Sequence, residues 1–486
     1  MTAKTVPKII IAGTSNLTWR PSQDPLSTVD LMCKSIEAAA NDAGSKELID
    51  IADQIFIPKG TWVTEDPGHF ISTHFGIQAK SVLFDIGILQ SSLVKRAIQD
   101  VAESRSKCTI IVGAETKEQE KRLGNLFPAD INQNLVSSTS SIEWIRPEDL
   151  IISKHEINTG LIRAVDQYAL IENASAHKNG LTRHQQINLI NTEWEKMATI
   201  ADSAISPWRE NATKYLKENG WGRPIAAPYR ANHITQWNVN QAAAIIITSE
   251  ETAKAHGSTS DQWVYPEAII ESNHVTPVVE RKDLATCQGM SAINEELIAS
   301  TGKPASSRAN VELYSCFPVA VRLQAENLGL SNRNLSITGG MTFAGGPFNN
   351  FTIQGISGLA KKVREHGTEG LITSVSGMLT KQGLLTITAK QESNNLIVED
   401  VSQLVKQKTK TLPSNSEIFG QMPVISSTVA HMGGDTKVFA IVEFKERYRR
   451  IVTSKKPEVI EIFTKESQIG EKIQVSKNGT FEMEAF

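Results

Sequence analysis

The sequence predicts an α/β protein, and three features carry that reading. Apolar, strand-like runs ending in small residues, such as "KIIIAG", "CTIIVGA" and "QAAAIIITS", alternate with stretches of helical period, the pattern of strands buried between helices. A helix running into such a strand occurs in both halves of the chain, which suggests a duplicated α/β unit. Past about residue 392 the text changes to short alternating strands, predicting a separate small β domain over 393–486.

Taken in order, "KIIIAG" is a first strand and "STVDLMCKSIEAAANDAG" a helix. Val29, Met32, Cys33, Ile36, Ala39, Ala40 and Ala43 share one stripe of it, Ser27 and Asp30 offer a cap, and Gly44 a stop. "ADQIFIP" reads as a strand. A short strand, a turn near Gly87, a helix from about Ser91 to Glu103 and the strand "CTIIVGA" follow. From about 117 to 240 the chain is polar and helical, with Ile187, Ile190, Trp194, Met197 and Ala201 on one stripe, which predicts an insertion lying over the α/β core. "NVNQAAAIIITSEETAKAHG" returns to strand and helix, and "ANVELYSCFPVAVRLQAENLGL" is a strand, a sharp turn and a helix.

The segment "SITGGMTFAGGPFNN", residues 336–350, holds four glycines and no charged residue. Glycine permits positive φ and close approach, so this loop is expected to hold a ligand against peptide groups alone. The helix "FTIQGISGLAKKVREHG" and the strands "EGLITSVSG" and "GLLTITAK" come next. In the tail, "QLVKQKTKTLPSNSE" reads as a polar linker, "KVFAIVEF" as a strand, and "KIQVSKNGTFEME" as a hairpin with Asn478-Gly479 in a type I′ turn.

The totals exclude several classes. A length of 486 residues predicts two to four domains. A net charge of −3 on 50 basic and 53 acidic residues argues against a chain built to coat nucleic acid or an anionic membrane. Cys33, Cys108, Cys287 and Cys316 are widely spaced with no CxxC, which indicates neither a zinc site nor a disulfide framework and fits a reducing cytoplasm. No run approaches the roughly 18 apolar residues of a membrane span. The first residues read as a strand rather than a signal sequence, so a soluble cytoplasmic protein is expected.

The order of a turn at 87–92, "NVNQAAAIIITS", "VELYSCF", "GGMTFAGGP" and "SVSGMLTKQG" resembles the thiolase superfamily over about residues 5–390. Closest in pattern are thiolase-like proteins labelled acetyl-CoA acetyltransferase that carry an extra C-terminal domain resembling an OB fold. The resemblance implies a duplicated, five-layered αβαβα fold with a small β-barrel-like C-terminal domain. Its divisions are an N-terminal half, 1–265, with the helical insertion at about 117–240; a C-terminal half, 266–392; and the tail, 393–486. It also implies coenzyme A or acyl-CoA as ligand, no metal, and a homodimer or homotetramer.

A working thiolase uses a nucleophilic cysteine in the first turn, an Asn-Glu-Ala-Phe or His-Asp-Cys-Phe motif, a Gly-His-Pro histidine and a Cys-x-Gly acid/base, which together move an acyl group through a thiolate. Here residues 87–92 contain no cysteine, Gly345-Gly346-Pro347 replaces the histidine by Gly346, and Ser374 stands at the second cysteine. Tyr314-Ser315-Cys316-Phe317 keeps the last two places of its motif.

Cys316 is therefore the remaining nucleophile candidate, at a strand-to-helix turn where helix amides lower a thiol pKa; the alternative is a buried spacer. His274 reads as a relocated base or a hydrogen-bonded structural residue. Tyr314 and Ser315 orient a carbonyl or satisfy the turn, and Asn349 and Asn350 bind a ligand amide or cap the next helix. Gly345 and Gly346 give close approach, and the Ser249 hydroxyl could meet a pantetheine amide. Cys33, Cys108 and Cys287 read as structural.

In the tail, "FKERYRRIVTSKK" interleaves basic and aromatic residues as single-strand binders do, but Glu443, Glu446, Glu458, Glu461 and Glu466 dilute the field and favour a solvated face or an interface. The expected function is acyl-CoA binding in a tunnel between insertion and core, in the acyl-CoA acyltransferase class but with the usual catalytic set missing. The alternatives are a non-catalytic subunit or scaffold assembling with a protein partner and, third, nucleic-acid binding through the tail.

Overall fold

The computed structural model describes residues 7–124, 142–390 and 396–483, so the predicted insertion lies partly outside the described residues. Two mixed sheets carry the body of the chain. The first orders its strands Ile9–Thr18, Asn240–Ser249, Cys108–Thr116, Gln54–Pro58, Lys80–Phe84 and Glu143–Ile145. The second orders them Asn310–Glu312, Glu369–Ser376, Lys381–Thr388, Tyr265–Ser272 and Ile397–Asp400.

The continuous apolar runs follow from burial on both faces. Along Asn240–Ser249, Ala243, Ile245 and Ile247 face a central layer, where the helices Gln90–Ala102 and Phe351–His366 bring Val94, Ile98, Ile353 and Ile356. That same layer receives Ile269, Ile372 and Leu385 from the second sheet. Ala244 and Ile246 point the other way, to Leu31, Met32 and Ile36 of the helix Thr28–Asp42. A strand with one polar face would leave one of these layers unfilled, and each fully buried Ile contributes about 1.5–3 kcal/mol. The helices Gln288–Thr301 and Pro318–Leu328 cover the outer face of the second sheet, with Met290, Ile293, Val319 and Leu323 against Ile270, Leu371 and Leu384. The result is five layers, αβαβα.

The insertion lays the helices Ala164–Lys178 and Arg183–Ala201 beside Pro318–Leu328. Thr182 starts the second of these with a reciprocal cap to Gln185. Arg322 ties all three together, donating to Glu172 at 2.8 Å and to Glu193 at 2.9 Å.

The tail departs from expectation in three places. Ile397–Asp400 joins the second sheet, parallel to Tyr265–Ser272, and the segment read as a linker contains the helix Ser402–Lys408. Its sheet runs Tyr448–Ser454, Asp435–Phe444, Gly420–Met432, Lys472–Val475 and Phe481–Glu482, with the helix Pro457–Lys465 packed on it, and Gly420–Met432 also pairs with the strand Pro224–Ala226 of the insertion. The two ends of that path meet at one bridge, Thr453–Thr480, so the sheet curls without a full closing ladder. The hairpin at Asn478-Gly479 is not type I′. Only Gly479 takes positive φ, 85°, because the Asn478 Oδ1 accepts from the Thr480 amide at 3.1 Å and holds Asn478 at negative φ. This is a type I turn followed by a left-handed glycine.

Candidate functional site

The N-termini of three helices converge where the motifs had pointed. Gln90 opens the first central helix, and its Oε1 accepts from the Thr352 amide of the second at 2.5 Å while its Nε2 approaches the Asn349 Oδ1 at 3.5 Å. The Tyr314 amide donates to the Thr373 Oγ1 at 2.8 Å, and its ring stands edge-on to Phe351.

Cys316 follows, 9% exposed, beside Tyr168, whose ring stacks on Phe317 with centroids 4.3 Å apart. Burial pushes the Cys316 thiol up to about 12, against the lowering by Tyr168 and by backbone amides. The helix N-terminus does not make a thiolate here, because desolvation outweighs it.

Three of the glycines are required by close packing within the protein. A Cβ on Gly346 would lie 2.2 Å from the Thr235 Cγ2, one on Gly345 2.1 Å from the Gln241 Oε1, and one on Gly339 2.4 Å from the Ala201 Cβ. Thr235 is anchored by its Oγ1, which donates to the Cys316 carbonyl at 3.0 Å. The space that a side chain at residue 346 would need is thus taken by Thr235 and Met341. At these three positions the loop is packed closely against the rest of the protein.

The remaining predicted residues are also engaged internally. The Ser315 Oγ accepts from the Met341 amide at 3.0 Å. The Asn350 Nδ2 donates to the Gly113 carbonyl at 2.7 Å. Ser374, 1% exposed, lies 2.6 Å from the Ser91 Oγ, which in turn donates to Glu271 at 2.5 Å. Gly383 seals this cluster, since a Cβ there would sit 2.1 Å from the Ser91 Oγ. Lys95 at 3.6 Å and Ser92 complete the shell of Glu271, whose pKa burial raises.

Ser249 and His274 are not brought to this centre. Ser249 caps the helix Glu250–Ala255 at the opposite end of its strand from Gln241, about 26 Å away at the usual rise per residue. His274 bonds the Thr276 hydroxyl and lines a separate cavity, where burial lowers its pKa. The sequence reading missed Gln90, Glu271, Tyr168 and Thr235. Tyr168 and Thr235 sit in the insertion, where no local spacing announces a contact to residue 316 or 346.

Neither a protein-family model nor a curated protein sequence matches the chain. Solved structures do. A monomeric SCP2-thiolase-like protein type 1 from Mycobacterium smegmatis matches with a TM-score of 0.80 at 20% identity, over 98% of this chain and 99% of that one. This chain has a thiolase fold. An Ltp2–ChsH2 (DUF35) aldolase matches with a TM-score of 0.58 at 16% identity, over 80% of this chain and all of that one. An acetyl-CoA acetyltransferase from Syntrophomonas wolfei matches at 0.54 and 12%, over 79% of this chain and all of that one.

Within this thiolase fold, a groove of about 300 Å³ opens between the insertion helix Arg183–Ala201 and the core helix Pro318–Leu328. Trp194, Met197, Ile200, Val321 and Leu335 give it an apolar floor; its cations are Lys196, the loop-anchored Arg333 and Arg322, the last already paired with Glu193, and Glu326 is a second carboxylate in the lining. Its floor backs onto the glycine segment, because the Trp194 Nε1 donates to the Thr342 Oγ1 at 2.9 Å. Among the described residues no cluster of His, Cys, Asp or Glu could hold a metal, and no helix is long and apolar enough to cross a membrane.

Proposed function

We propose that the chain is a thiolase-fold protein that binds an acyl thioester of coenzyme A in the groove between insertion and core and does not transfer the acyl group covalently. One observation carries the second half: the space at Gly346 is filled by Thr235, while Cys316 is buried with its thiol pushed up to about 12, so neither residue 346 nor Cys316 offers the base or the thiolate that covalent transfer needs. The groove supports the first half, since an apolar floor suits an acyl chain and Lys196 suits the anionic end. The names of acetyltransferase and SCP2-thiolase-like structural matches point to the same ligand class.

Calorimetry with acetyl-CoA and a long-chain acyl-CoA tests the reading. Saturable binding, tighter for the long chain and about tenfold weaker in Lys196→Glu, is expected. Absence of binding to either would leave the non-catalytic scaffold. Oligomeric state is read alongside by light scattering, because the full-length structural match is described as monomeric whereas the family resemblance led to a dimer or tetramer.

A further inference from the structure

We infer that a second cavity, sharing no lining residue with the groove, is a binding site for a small phosphorylated molecule. It encloses about 360 Å³ between the segment after Tyr265–Ser272, the N-terminus of Gln288–Thr301, the hairpin turn at 377–380 and the helix Ser402–Lys408.

Its charge is assembled by the backbone. Arg281 pairs with Thr411 in an isolated bridge, and the Lys282 amide donates to the Lys410 carbonyl at 3.0 Å, which sets Arg281, Lys282 and Lys410 on one wall. Lys408 adds a fourth cation to the lining, and Asp283 is its acidic residue. Two of these charges are already spent: Asp283 pairs with Lys178 at 3.0 Å, and Lys408 with Glu295 at 2.6 Å. Lys282 and Lys410 have no ion-pair partner among the described residues. Repulsion between gathered cations is a cost that a bound anion relieves.

The second, independent observation is Arg281 itself. It is 6% exposed, yet no carboxylate lies within ion-pair distance of it among the described residues. Its Nε donates to the Thr276 carbonyl at 3.0 Å and its Nη2 to the Gly377 carbonyl at 3.2 Å, while Nη1 has no acceptor among the described residues. Glu156 is the carboxylate that acts on it electrostatically, but Glu156 is held by Ser153 and the Val279 amide. Burial lowers Arg281 to about 10, the mark of a cation desolvated without full compensation. The helix Gln288–Thr301 begins at the same cavity without a side-chain cap, so its first amides and dipole add to the field. A guanidinium, two ammonium groups and helix amides around one space call for more than one negative charge, which a phosphate group carries and a single carboxylate does not.

The test is calorimetry of the full chain with inorganic pyrophosphate at low ionic strength, with citrate as the carboxylate control. Saturable one-to-one binding is expected, at least tenfold weaker in Lys282→Glu/Lys410→Glu, whose side chains are exposed and leave the thermal midpoint unchanged. Arg281→Gln is expected to lose binding too, with its midpoint measured beside it. Lys196→Glu, in the groove, is expected to leave pyrophosphate binding intact, which separates this site from the acyl-CoA reading. Absence of saturable binding, equal binding by the double variant, loss in Lys196→Glu, or tighter binding of citrate would each overturn the inference.

Discussion

Gly346→Ala adds one methyl group where the Thr235 Cγ2 already sits, 2.2 Å from the new Cβ, more than an ångström inside van der Waals contact. Met341 is close as well, with its Cε at 3.1 Å and Cβ at 3.3 Å. Gly346 has no positive φ, so backbone strain does not contribute and the cost is overpacking alone, about 1–3 kcal/mol. Thr235→Ser removes the clashing methyl while keeping the hydroxyl that bonds the Cys316 carbonyl. Alone it costs about 0.8 kcal/mol for one methyl at a half-buried position. Together the two substitutions exchange one methyl for another, so the double variant is expected within about 1 kcal/mol of wild type, with a coupling of about 1–2 kcal/mol. Urea unfolding of the four proteins measures this cycle. Gly346→Ala as stable as wild type, or a double variant no better than the single, would refute the claim that Thr235 closes the histidine position.

Three further outcomes are expected. With its thiol at about 12 and its sulfur buried, Cys316 in the native protein resists iodoacetamide at pH 8 and reacts only in denaturant; rapid native labelling mapped to Cys316 would contradict the burial argument. Arg322→Met strands Glu172, whose side chain is 1% exposed, and costs about 3–5 kcal/mol in chemical denaturation, where a loss under 1 kcal/mol would count against the bridge. Glu312 holds the turn into the glycine segment through the Ile337 and Thr338 amides, and burial raises its pKa from 4.5 to about 7. The raised folded-state value means the protonated acid is favoured on folding, so its contribution is present below pH 4.5 and lost as pH rises through about 7, by up to about 1.4 kcal/mol per unit. Glu312→Gln flattens that slope; an unchanged pH profile of stability would contradict it.

The layers were legible because burial on both strand faces leaves a run such as "QAAAIIITS", and amphipathic stripes such as Val29 to Ala43 leave a helix. The order of degenerate motifs led to the thiolase fold. The interior of the site was not legible in the same way. Glycines at 339, 345 and 346 read as space for a ligand, but the atoms filling that space come from Ala201, Gln241 and Thr235, far along the chain. Ser249 ends its strand as read, yet the site lies at the other end, a matter of strand direction that local pattern does not carry. The linker at 403–417 failed for a related reason: Val405 is 3% exposed against the body, and one apolar anchor in a polar helix has no strong period. His274 reads from sequence as a relocated base but lines the cationic cavity, whose walls meet through long-range pairings such as Arg281 with Thr411 and Lys282 with Lys410.

Intact-protein mass after incubation with acetyl-CoA and a long-chain acyl-CoA, with free coenzyme A measured in the same tube, tests the central claim most directly. Unmodified mass and no released coenzyme A, under conditions where calorimetry shows the long-chain thioester bound, is the expected result. An acyl adduct on the wild type that disappears in Cys316→Ala would contradict it and make Cys316 a working nucleophile.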